Sequence, residues 1–123
     1  MKASIKYVNF SEEDMARVTQ KEFDRQGLNL FEKKLMTGPV GEKILIESLP
    51  RLLLREHILS QKNGTLIWTL LERFLGDSEE KLNLYLAQKA LTEEFDFDRI
   101  TRIQFFNWMV NRFIDFINEH FES

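Results

Sequence analysis

The chain contains no cysteine. Disulfides, thiolate catalysis and cysteine-ligated zinc are therefore excluded, and a reducing compartment is the natural setting. Proline and glycine are scarce, two and five among 123 residues, so little interrupts long regular elements. No apolar run is long enough to span a membrane: the richest stretch, KILIESLPRLLLREHIL, is broken by Glu47, Arg51, Arg55 and Glu56. The opening MKASIKYVNFSEED lacks the apolar core of a secretory signal, so a cytoplasmic protein is expected. A dominant charge sign is missing as well. The 17 Lys/Arg and 20 Asp/Glu leave a net charge of −3 and interleave, as in EKK at 32–34 and RE at 55–56. Interleaved charge makes a solvated surface rather than a phosphate-binding stripe, so neither nucleic acid nor membrane is expected as a partner.

What is present is a helix-forming vocabulary. Composition is globular, 43% hydrophobic and 30% charged, and the length supports one core without covalent staples. Leu, Lys, Glu, Arg and Gln are abundant, all good helix formers. The expectation is an all-α, single-domain bundle of about five to six helices over residues 11–123, preceded by a short extended arm at 1–10. In that arm Ala3, Ile5 and Tyr7 alternate loosely with Ser4, Lys6 and Val8. A lone strand is not stable by itself, so the arm is expected to lie on the helices; the other use would be a strand lent to another molecule.

Helix boundaries follow from local signals. Ser11 and Asp14 form a capping-box pattern, with Phe10 and Met15 placed as a hydrophobic staple and Glu12, Glu13 and Asp14 at the positive end of the helix dipole. Gly27 is a stop, and a short helix follows at 28–36 with Leu28, Phe31 and Leu35 on one face. Gly38-Pro39 reads as a stop and restart. The segment 42–61 is apolar nearly all round, which marks a helix wrapped by neighbours; Pro50 either kinks it or lies in the first turn of a second helix capped by Ser48. Asn63-Gly64 ends this unit, and Thr65 is placed to cap a helix over 66–75 that stops at Gly76. Asp77 or Ser78 caps the next, to about Leu91, and Asp96 or Asp98 caps the last, 98–121.

That last helix carries an unusual amount of apolar surface. At about 100° per residue, Ile103, Phe106, Val110, Phe113, Ile114, Ile117 and Phe121 fall in one sector about 100° wide. Phe105, Met109 and Phe116 extend it to about 80° further round, with Trp108 beyond. Gln104, Asn107, Asn111, Asp115 and Asn118 form the polar remainder. The flank is either core, in a helix packed on both sides, or an interface.

Motifs that carry chemistry are not found. TGPVGEKIL fails as a P-loop because Gly38 and Gly41 are too close, Glu42 precedes Lys43 and no hydroxyl follows. His57 and His120 each neighbour a glutamate in sequence, which on a helix does not bring the two together, and no Glu-x-x-His or His-Glu-x-x-His pair exists. TEEFDFD at 92–98 lacks the glycine and length of a calcium loop, and Phe95 and Phe97 are expected to tuck inward.

No catalytic, cofactor-binding or metal residue is therefore expected. The function expected is a non-enzymatic protein-binding module, such as an adaptor, an inhibitor or immunity-type protein, or a small subunit of an assembly. Phe105, Trp108, Met109 and Phe116 would be its anchors, with Glu93, Glu94, Asp96 and Asp98 steering a basic partner; a second copy of the chain is the other partner considered. The alternatives are a small-molecule or lipid carrier with an apolar pocket between helices, and a metal-dependent hydrolase using His57 with a carboxylate.

Overall fold

The computed structural model describes residues 3–29, 32–34, 38–96 and 98–122, the side chains of 39–47 excepted. Five helices have their full bounds within it: α1 (Glu12–Arg25), α2 (Pro39–Leu59), α3 (Gly64–Asp77), α4 (Glu79–Thr92) and α5 (Arg102–His120). Residues 32–34 are helical as well, and the architecture is the expected all-α bundle in one compact domain. The expected roles of Phe31, Leu35 and Phe97, and of the apolar side chains at 44–46, lie outside what is described.

α1 is set by its ends. The Ser11 side chain accepts from the Asp14 amide and the Asp14 side chain accepts from the Ser11 amide, the reciprocal capping box. These bonds hold the Asp14 carboxyl below its ordinary range. At the other end Gly27 adopts φ +69°, its amide donating to Asp24 and that of Leu28 to Phe23. This is a Schellman closure, which needs the left-handed backbone that glycine takes without strain.

α2 starts at Pro39, where a missing amide costs nothing, and runs through Pro50 to Leu59; Ser48 starts no second helix. It is the central element, packing on α1, α3 and α5. Leu49, Leu53, Leu54 and Ile58 are its buried contribution. The turn into α3 is tight. Asn63 takes the left-handed conformation, and a Cβ on Gly64 would stand 2.2 Å from the Ile58 carbonyl oxygen. α3 therefore begins at Gly64, one position before the expected cap; the Thr65 carbonyl instead accepts from the Thr69 hydroxyl.

α5 starts later than expected. Asp96 and Asp98 do not cap it; Thr101 does, accepting from the Gln104 amide while the Gln104 side chain accepts from the Thr101 amide. Thr-x-x-Gln is the same box that opens α1, and it satisfies two orphan donors at once, which a lone aspartate cannot. Asp96 accepts from the Asp98 amide and pairs with Arg99, holding the turn before the helix.

The core gathers on α5. Phe106, Val110, Phe113, Ile114 and Ile117 are buried against residues of α1 to α4. Between α1 and α2, Glu22 is buried yet charged: it accepts from Arg25, from Arg55 across the helix pair and from Gln26. Those bonds, Arg25 first, hold its pKa at about 2.

Candidate functional site

The asparagine edge of α5 is covered, not open to solvent. Residues 3–10 lie along it, and three asparagines hold their backbone. Asn118 accepts from the Ile5 amide and donates to its carbonyl, both at 2.9 Å. Asn111 does the same to Val8, at 2.9 and 3.0 Å, and Asn107 to Phe10, at 2.6 and 2.9 Å. In an antiparallel sheet, opposed residues exchange both of their N–H···O bonds; here each amide side chain takes the part of the missing peptide.

The spacing explains why a helix can do this. The arm runs antiparallel to α5, and Asn111 to Asn107 rises about 6 Å against about 6.6 Å for the two extended residues from Val8 to Phe10. Asn118 to Asn111 rises about 10.5 Å, matched by about 10 Å for the three residues from Ile5 to Val8. The three asparagines fall within a sector about 40° wide that borders the core stripe. Consequently Ala3, Ile5, Val8 and Phe10 pack against the core while Ser4, Lys6, Tyr7 and Asn9 are exposed. Tyr7 closes the row, its hydroxyl donating to Asp115 at 2.6 Å, which raises its pKa.

The residues expected to form an interface on α5 have other occupations. Phe116 is 1% exposed, between Phe74 of α3 and Tyr85 of α4 at ring separations of 5.6 and 5.5 Å. It is core, because α3 and α4 wrap this side of α5. Phe105 and Met109 are half-buried and packed against the core. Trp108 stacks on Phe95 at 4.3 Å and donates from Nε1 to Glu93 at 2.6 Å. Glu93 also binds Arg112, whose guanidinium reaches Asp115 at 3.2 Å and lies over the Tyr7 ring. The acid and aromatic residues thus join the end of α4, α5 and the arm. Asp98 and Glu94 are exposed. Glu94 holds φ +51° at the position where helix ends favour glycine.

Exposed apolar side chains remain on α4, at Leu84 and Leu91, and as a group on α3. Its buried side is Trp68, Leu71 and Leu75, but Leu66, Ile67 and Leu70 are also apolar and are 65%, 37% and 45% exposed. They border an open groove of about 890 Å³ whose other sides are the arm at Ala3–Lys6, His57 and Ile58 at the end of α2, Gln61 and Lys62 in the turn after it, and Phe121. Lys6 and Lys62 line it, and among the described residues no Asp or Glu does. Burial pushes the His57 imidazole below its usual pKa. The sequence signal for this face was the composition of LIWTLLERFL, apolar on more than one side. The signal for the asparagine row was three poor helix formers on one edge of a helix interior.

Among the described residues, no group of three or more His, Asp or Glu could hold a metal ion. No helix among them is long and apolar enough to cross a membrane. Comparison with models of known protein families, with curated proteins and with solved structures finds no match to the chain.

Proposed function

We propose that this chain is a non-enzymatic, cytoplasmic protein-binding module, and that it docks its partner in the groove between the arm and α3 rather than on the flank of α5. The observation that carries the reading is the exposure of Leu66, Ile67 and Leu70 along one groove. Contiguous apolar surface of this kind on a small domain usually marks an interaction site. The earlier anchors contribute less, since Phe116 is core and Trp108 is tied to Glu93 and Phe95.

The test is recovery of one binding protein from the native source, reconstituted with purified components. Leu66→Glu with Leu70→Glu should abolish the interaction, while Leu84→Glu, on an α4 residue that is 72% exposed, should leave it intact. If no protein depends on the groove residues, the reading fails. A second reading, a carrier of an anionic amphiphile, is favoured by the groove's volume, within the range of about 300–1,000 Å³ typical of small-molecule sites, and by its two lysines. Native mass spectrometry of the purified chain would then show a retained ligand.

A further inference from the structure

We propose that the groove receives an extended, acidic segment of the partner protein as a strand added to the Ser4–Lys6 edge of the arm; this names the binding mode of the site above and rests on its protein-binding reading. Three observations converge. The first is a backbone edge with no hydrogen-bond partner among the described residues. Both peptide groups of Ile5 are held by Asn118, and in an extended chain successive residues turn their N–H and C=O to opposite sides. Ser4 and Lys6 flank Ile5, and their peptide groups make none of the hydrogen bonds that tie the arm to α5. Both residues are exposed, both line the groove, and neither peptide hydrogen-bonds to another described residue. An edge of this kind is a template for a further strand.

The second is that the edge is already ordered. Six hydrogen bonds, three accepted and three donated by Asn107, Asn111 and Asn118, hold the arm, two of them at Ile5 between Ser4 and Lys6, so an incoming strand meets an edge that it does not have to order. The third is what lies beside the edge. An added strand turns alternate side chains to one face, and there it would find Leu66, Ile67, Leu70 and Phe121. Its remaining side chains would meet Lys6 and Lys62, the charged side chains among the described residues that line the groove. Acidic residues are the complement. A helical occupant would cover the leucines but leave the Ser4–Lys6 edge unpaired.

The experiment uses the full chain and the peptide acetyl-EIEVEIE-amide, followed by calorimetry and by amide chemical shifts. Saturable binding is expected, with the largest shifts at Ser4 and Lys6. Of the two isomers N-methylated at alternate residues, one should lose at least tenfold in affinity and the other little, because only one edge of the peptide pairs. Lys6→Glu with Lys62→Glu should weaken binding at least tenfold and transfer preference to acetyl-KIKVKIK-amide. These side chains are exposed, and thermal melting verifies that the variants fold. Equal binding of both methylated isomers overturns strand addition. So does competition by a helical acidic peptide when the extended one fails, an outcome that leaves the protein-binding reading standing. If neither peptide binds at millimolar concentration and sodium oleate does, with loss in Leu66→Glu, strand addition and the protein-binding reading both fall.

Discussion

The polar side of α5 and the open side of α3 stand within one small bundle, and each reverses what hydropathy alone assigns. On α5, Asn107, Asn111 and Asn118 lie under a segment of chain and bond its backbone. On α3, Leu66, Ile67 and Leu70 lie at the surface beside a groove. The difference is one of partners. A carboxamide offers the same donor and acceptor as a peptide group, so a polar helix edge can be covered without penalty when extended backbone with matching repeat lies on it. A leucine has no such directional demand; it is buried only where another surface arrives, and the area it removes from water is its whole contribution.

The comparison can be broken or sharpened by substitution. The largest effect is expected on the core side of α5. Phe106→Ala removes a ring that is fully buried and should lower stability by about 3–5 kcal/mol in chemical denaturation, which sets the scale for the opposite side of the same helix.

Acid comes next. The pKa of Glu22 is held at about 2 against an ordinary 4.5, so its stabilisation is fully present above about pH 4.5 and is lost as pH falls towards 2. The shift corresponds to about 3 kcal/mol. Denaturation at pH 6, 4 and 2.5 should show a slope that Glu22→Gln flattens. Asn111→Ala should leave that slope unchanged, because the amide row does not titrate.

Asn111→Ala itself removes both bonds to Val8 and should cost about 1–3 kcal/mol, offset by roughly 0.5 kcal/mol of gained helix propensity. Amide exchange at Val8 should accelerate more than exchange in α2. Exchange that stays slow would show that the arm is held by its apolar side chains alone. The smallest effect is expected on α3: Leu66→Gln with Leu70→Gln should shift stability by no more than about 0.5 kcal/mol, as exposed substitutions do. A fall of more than about 1 kcal/mol would mean that this face is covered in solution, and the contrast with α5 would collapse.

The legible parts of the molecule were those decided within a turn of chain. The Ser11–Asp14 box, the Gly27 stop and the Gly38-Pro39 restart are each readable because donor, acceptor and backbone conformation lie within a few residues. The misplaced start of α5 came from the same kind of signal read at the wrong residue: Asp96 and Asp98 compete with Thr101, and the reciprocal partner Gln104 settles the choice. The candidate site was not legible in this way. Phe116 and Leu66 are both large apolar residues on helices with surplus apolar surface, yet one is 1% and the other 65% exposed. Periodicity gives the angle at which a side chain leaves its helix, not the neighbour it meets there.

By itself, then, the sequence determined the all-helical class, most helix ends, the exclusion of thiol chemistry and a surplus of apolar surface, since composition, capping and periodicity act locally or in sum. Tertiary structure decided where the surplus went and what the polar edge of α5 holds. The bonds of the asparagine row join residues 97, 103 and 113 positions apart, and a pairing across that distance depends on where the whole bundle places its two ends. With α2, α3 and α4 packed on its other sides, α5 has its asparagine edge left for the arm, and leucines stay exposed on α3 and α4 where no further element arrives.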